Sequence, residues 1–258
     1  MTLLHKHHKL TAIITASLLL VLAGANTATA QAEKKDAPAK NPVRVLLVTG
    51  GHGFDEEKFH AMLDAMPGIT HTEAKHPDAL AKFRPENRAS FDVVLFYDMP
   101  KTITAQEKRD FIGTLKAGKG IVVLHHAYCS YQDWPEYQKI IGGRYHQKPW
   151  TDAAGTARPA STYKYNVPLR VKVADKTHPV TRGIEDFDIV DEAYCGGSVN
   201  PGAQVLLTTD NPLSTPSVAW AGRYEKSRTV TIILGHDKKA WTNPAFAKLL
   251  SQAIEWVR

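Results

Sequence analysis

A chain of 258 residues that is 43% hydrophobic and 22% charged can bury a full core, and it is too apolar for a disordered protein. The formal charge of +6 comes without a Lys/Arg run interleaved with aromatics, which argues against a nucleic-acid partner. Two cysteines, Cys129 and Cys195, cannot make a disulfide scaffold. They are either two free thiols or a single bridge.

The first 30 residues read as a secretory leader. Lys6 and Lys9 form a basic start, Leu10 to Ala25 is apolar, and Ala28-Thr29-Ala30 is a small-residue cleavage signal. The apolar stretch falls short of the about 20 residues of a convincing spanning helix. Its alternative is an uncleaved anchor. Cleavage after Ala30 would place the protein in the periplasm or outside the cell, with no stable membrane insertion. It would remove two Lys and no acid, leaving +6 − 2 = +4. Residues 31–42, QAEKKDAPAKNP, lack a hydrophobic pattern and read as a flexible linker, so the folded domain is expected over 43–258.

From Val43 strand and helix signals alternate. Val43 to Val48 is a buried strand closed by Thr49-Gly50-Gly51. A helix is expected over Asp55–Ala65, with Phe59, Met62, Leu63 and Met66 on one face. Strands follow at Ile69–Ala74 and Asp92–Tyr97. Thr104 and Glu107 form a capping box for a helix carrying Phe111, Ile112 and Leu115, which ends at Gly118. Gly120–Leu124 is a further strand. Beyond Trp134 the pattern is less regular. Lys148–Pro159 reads as a polar loop, and strands are expected at Leu169–Val173, Val205–Leu207, Ser217–Ala221 and Thr229–Leu234. Pro244–Val257 closes the chain as an amphipathic helix. Short apolar strands between amphipathic helices imply an α/β fold with a mainly parallel central sheet.

In such a sheet ligands bind beyond the carboxyl ends of the strands. Those ends carry His52, Asp98, His125 with His126, and His236 with Asp237. Gly50-Gly51-His52-Gly53 is neither GxGxxG nor a P-loop. It reads as a tight turn presenting His52 rather than a nucleotide cradle, so no nucleotide or flavin is expected. If the strand persists, His125 and His126 face opposite sides, and His126 is the one expected in the pocket. Asp191-Glu192 follows Phe187-Asp188-Ile189-Val190, and Glu192 could serve as base or ligand; a solvated turn is the alternative. Asp237 could instead cap the next helix. His146 sits in a loop able to fold over the sheet edge, whereas His60, His71, His76 and His178 have ordinary settings. Trp134, Tyr137, Trp150, Tyr194 and Trp241 could stack on a sugar or simply pack.

No close-spaced metal motif such as HExxH is present. A divalent metal such as zinc would need ligands from separate strand ends, and His52, His126 and His236 are the expected set.

Six segments in order carry a resemblance. They are Val45–His52, Gly118–Ala127, Tyr137–Gly143, His178–Thr181, Asp191–Tyr194, and Leu234–Asp237 with Trp241 and Asn243. Together they resemble the ThuA-like (trehalose-utilisation) family, over about Val43 to Arg258. The resemblance implies a class I glutamine-amidotransferase-like fold, a flavodoxin-like three-layer α/β/α sandwich. Amidotransferases carry a nucleophilic Cys at the elbow after the strand matching 120–124. Here that position reads His125-His126-Ala127, and Cys129 lies past it, so glutamine hydrolysis is not expected.

The family association points to carbohydrates, including 3-keto disaccharides. A C3 keto group acidifies neighbouring C–H bonds, so a His or Glu base could take that proton while a second His or a metal polarised the carbonyl. Isomerisation or elimination would follow, with His52, His126, Glu192 and His236 as catalytic groups. Asp98, His125, His146, Tyr194, Asp237 and Trp241 would bind the sugar. A non-catalytic carbohydrate-binding or interaction protein on the same scaffold is the alternative.

Overall fold

The computed structural model describes residues 41–258. The expected leader and nearly all of the expected linker therefore lie outside the described residues. In chain order the elements are β1 (Val43–Gly50), α1 (Glu56–Asp64), β2 (Ile69–Lys75), β3 (Val93–Asp98), α2 (Ala105–Lys116), β4 (Gly120–Leu124) and α3 (Pro135–Ile141). Three two-residue strands follow, β5 (Gly143–Arg144), β6 (Trp150–Thr151) and β7 (Ala157–Arg158). Then come β8 (Thr162–Val173), β9 (Phe187–Cys195), β10 (Ser198–Val199), β11 (Gln204–Thr209), β12 (Ser217–Tyr224), β13 (Ser227–Ile232), α4 (Lys238–Trp241) and α5 (Pro244–Val257).

Local chemistry sets the helix starts. Asp55 accepts a hydrogen bond from the Lys58 amide, Thr104 and Glu107 close a reciprocal capping box, and Asn243 accepts from Ala245 and Phe246. The expected helices over α1, α2 and α5 are all present. α3 escaped the pattern because Pro135 opens it and it runs only seven residues before the left-handed Gly142.

Nine strands form one sheet in the order β2-β1-β3-β4-β13-β12-β11-β8-β9. The sheet is mixed: one half has the expected parallel arrangement, and the other half is antiparallel. Pairings from β2 to β13 are parallel, and those from β13 to β9 are antiparallel. The reason lies in the connections. β11, β12 and β13 are joined by short turns, which can link only antiparallel neighbours, whereas parallel neighbours need crossovers. The short β6–β7 hairpin lies inside the expected polar loop.

Consecutive residues of β3 show how the parallel half is covered. Phe96 stacks on Phe111 of α2, with ring centroids 5.3 Å apart, and Tyr97 stacks on Phe59 of α1, at 4.3 Å. Every residue of β3 and β4 is buried. β8 begins seven residues before its expected start, because Thr162 to Asn166 are exposed and carry no alternating apolar signal. Among the described residues no helix is long and apolar enough to cross a membrane.

Gly120 opens β4 where α5 ends. A Cβ there would lie 2.0 Å from the Val257 carbonyl oxygen, a backbone atom with no room to yield. Gly120→Ala should therefore cost about 1–3 kcal/mol. At roughly 2–4 °C per kcal/mol for a domain of this size, thermal unfolding should show Tm falling by about 2–12 °C.

At the start of β1, Arg44 grips Asp92 through Nη2 and Nε, at 2.7 and 3.1 Å. The hydrogen bond to Arg44 holds the Asp92 carboxyl down at about 2. Because the folded value is depressed, this contribution is present above about pH 4 and is lost as pH falls toward 2. The Tm difference between wild type and Asp92→Asn should be present at pH 7 and shrink across that window.

Candidate functional site

The first turn of the site is backbone-determined. Gly51 has φ +83°, and a Cβ there would lie 2.5 Å from the Met99 carbonyl oxygen, so only glycine lets the β1 end pass β3 this closely. His52 follows directly.

β4 stops at Leu124. His125 takes φ +50° and starts a short 3₁₀ turn to Cys129, so strand alternation does not continue through the histidine pair. Both histidines are buried. His125 Nδ1 lies 3.0 Å from the Ile233 carbonyl oxygen. A carbonyl can only accept, so Nδ1 carries the proton and donates it. In the neutral ring Nε2 is then left with a free lone pair.

That nitrogen meets three polar atoms. Glu192 Oε2 is at 2.9 Å, His236 Nδ1 at 3.1 Å and the Tyr194 hydroxyl at 3.0 Å. His236 Nδ1 and Glu192 Oε2 are themselves 3.2 Å apart. The Tyr194 ring stacks on His125, with centroids 4.8 Å apart. Behind the cluster, Asp191 accepts from the backbone N–H groups of Gly235 at 2.6 Å, His236 at 2.9 Å and Glu192 at 2.8 Å. One buried carboxylate thus ties the β13–α4 loop to β9.

Electrostatics follow from this packing. Burial pushes the Glu192 carboxyl up, but its close contacts with the His125 and His236 imidazoles outweigh it and hold the group at about 2. The bond to Glu192 raises the His236 imidazole above its ordinary value, against burial. Burial, then the neighbouring His125 and His236, lowers His52. Burial pushes His126 down to about 2, so that ring stays neutral.

The structure places the expected metal set differently. His52 and His126 are stacked, with centroids 4.3 Å apart and planes at 24°. Ring lone pairs lie in the ring planes, so two nearly parallel rings do not aim at a common ion. The atoms that do converge belong to His125, Glu192 and His236. With bonds of about 2.0–2.1 Å, donors around a tetrahedral ion sit roughly 3.3 Å apart. Separations of 2.9–3.2 Å fit that spacing closely. Donation of His125 Nδ1–H to Ile233 is the outer bond that aims a ligating imidazole.

The other expected residues separate. Asp98 is fully buried and its Oδ2 pairs with His76 Nε2 at 2.8 Å, so it does not line the site; His76, read as ordinary, is its partner. Asp237 caps α4 by accepting from Lys239, and its residue also lines a cavity of about 350 Å³ with His52, Tyr165, His236 and Trp241. The Trp241 indole donates to the Gly235 carbonyl at 2.9 Å and helps pin the loop. His146 stacks flat on Trp150, 3.8 Å away, on the wall of a separate cavity of about 840 Å³. Burial lowers its imidazole to about 4. Trp134 and Tyr137 pack in the core. Cys129 and Cys195 are both free thiols.

Tyr165 was not legible as a site residue. Its one signal is the exposed Tyr163-x-Tyr165 spacing.

Asp191→Ala would orphan three backbone donors around the loop that carries His236. At 1–3 kcal/mol for each buried unsatisfied group, a loss of roughly 3 kcal/mol or more is expected in denaturant unfolding.

The chain matches the trehalose utilisation family, ThuA, over residues 44–257. Its fold is similar to a ThuA-like protein from Parabacteroides merdae, at TM-score 0.69 and 18% identity over 84% of this chain and 90% of that one. It is also similar to a ThuA-like protein from Bacteroides uniformis, at TM-score 0.65 and 20% identity over 86% and 94%. A cytoplasmic protein from Salmonella typhimurium follows at TM-score 0.58 and 12% identity over 83% and 99%. No curated protein matches. Since the family match spans nearly all of the described chain, this protein belongs to the ThuA, or trehalose-utilisation, family.

Proposed function

We propose that this chain is an exported carbohydrate-processing enzyme acting on a sugar or 3-keto-glycoside at the His125–Glu192–His236 centre. Export rests on the basic, apolar and A-x-A pattern of residues 1–30. The scaffold is read as a flavodoxin-like, class I amidotransferase-like sandwich, supported by helices packed against both faces of β3. The observation that carries the activity is the convergence of three lone-pair donors at the carboxyl edge of the parallel strands, with His236 on the wall of a cavity.

The donor set suits a divalent cation such as zinc, held by His125 Nε2, His236 Nδ1 and one Glu192 oxygen. Such an ion would supply Lewis-acid polarisation of a sugar carbonyl. The chain's own groups do the rest. His52 lines the same cavity and burial keeps its imidazole unprotonated, the form that can take a proton from carbon next to a carbonyl. His126 packs behind His52 and holds that ring in place. Tyr194, whose phenol burial pushes well above its ordinary range, keeps its proton and donates a hydrogen bond within the centre. Glutamine hydrolysis finds no support, because Cys129 is buried and burial raises its thiol. Neither a nucleotide nor a flavin is part of this reading.

Untagged protein from residue 31 onward, analysed by elemental mass spectrometry, tests it. Near-stoichiometric divalent metal is expected, with loss in His125→Ala, Glu192→Gln and His236→Ala but retention in His52→Ala. His52→Ala should lower turnover of 3-keto-trehalose about 100-fold or more. Absence of metal after adding back zinc, manganese and nickel would remove the ion from the mechanism. Sugar binding without any product would make the protein a binding module instead.

A further inference from the structure

The pairing of β8 with β9 skips one residue beside the candidate centre. Lys164 faces Ala193 and Val167 faces Asp191, so Tyr165 and Asn166 together stand opposite Glu192 alone. This is a one-residue bulge, and Asn166 sits in it at φ +57°. The Asn166 side-chain oxygen accepts a hydrogen bond from Lys239 Nζ, next to the loop that carries His236.

The bulge changes where one side chain goes. Tyr165 remains 50% exposed, yet its ring centroid lies 5.1 Å from that of His236. It forms part of the wall of the cavity shared by His52 and His236. Tyr163, 56% exposed, meets the Tyr165 ring edge to face at 5.4 Å and supports it from outside. Two large aromatics left in solvent beside a buried polar cluster are not explained by core packing.

We infer that Tyr165 is a sugar-stacking platform, a positioning residue that the bulge opposite Glu192 delivers to the His236 cavity. The proposal rests on the carbohydrate reading above and names the part of the substrate involved. The C–H face of one pyranose ring would lie on the phenol ring, while its hydroxyl and carbonyl edge turns toward His52 and His236. A cavity of about 350 Å³ is at the small end of ligand sites, which suits one sugar ring rather than a dinucleotide. An aromatic face beside a polar wall recognises such an amphipathic ring without needing a charge.

Isothermal titration of the full mature protein with trehalose and with its 3-keto derivative tests the idea, alongside Tyr165→Ala and Tyr165→Phe. Because Tyr165 is half exposed, both variants should unfold at the wild-type temperature. Tyr165→Ala should bind about five- to tenfold more weakly, and Tyr165→Phe within about twofold of wild type. Equal binding by wild type and Tyr165→Ala would overturn the platform and leave the carbohydrate reading standing. A loss in Tyr165→Phe as large as in Tyr165→Ala would assign the effect to the hydroxyl and overturn stacking. No binding of either sugar by wild type would remove the carbohydrate reading and the platform with it.

Discussion

The hydrogen bond from His125 Nδ1 to the Ile233 carbonyl joins the ends of two neighbouring parallel strands, β4 and β13. It sets the tautomer of His125 and the direction in which Nε2 points. Everything else in the centre is arranged around that lone pair. Glu192 and Tyr194 approach it from β9, and His236 approaches it from the loop after β13. Without this bond the ring could rotate or exchange its proton, and the cluster would lose a common focus.

The mixed sheet explains how an acid reaches this edge. Purely parallel strands would bring only their carboxyl-terminal loops. Here β8 and β9 form a long antiparallel arm, and the middle of β9 rather than its end contributes Asp191 and Glu192. The two acids have separate work. Asp191 organises the backbone of residues 235 and 236, and Glu192 faces the imidazoles. The same arm carries the bulge, so one supersecondary unit supplies both a carboxylate and an exposed aromatic ring.

Much of the framework was legible along the chain. The bounds of β4 and α5, the capping box of α2 and the strand-end positions of His52, His125, His126 and His236 follow from local patterns. Partner choice was less legible. Strand alternation pointed to His126 as the pocket residue, but the positive φ of His125 breaks the alternation at that residue. Asp98 sits at a strand end as expected, yet its partner His76 lies 22 residues earlier on a different loop and removes it from the site. The bulge at Tyr165 left no trace, because an extra residue in a polar, exposed strand changes no hydrophobic pattern.

Hydrophobic period, caps and turn residues act within a few residues of one another, so the sequence by itself determined the α/β class, the starts of α1, α2 and α5, and the edge where histidines gather. Tertiary structure alone decided which histidine meets Glu192, across 67 residues, and His236, across 111 residues. It also decided that half of the sheet runs antiparallel. Those outcomes depend on how distant strands pair and on one unusual backbone angle, and neither leaves a periodic signal in the chain.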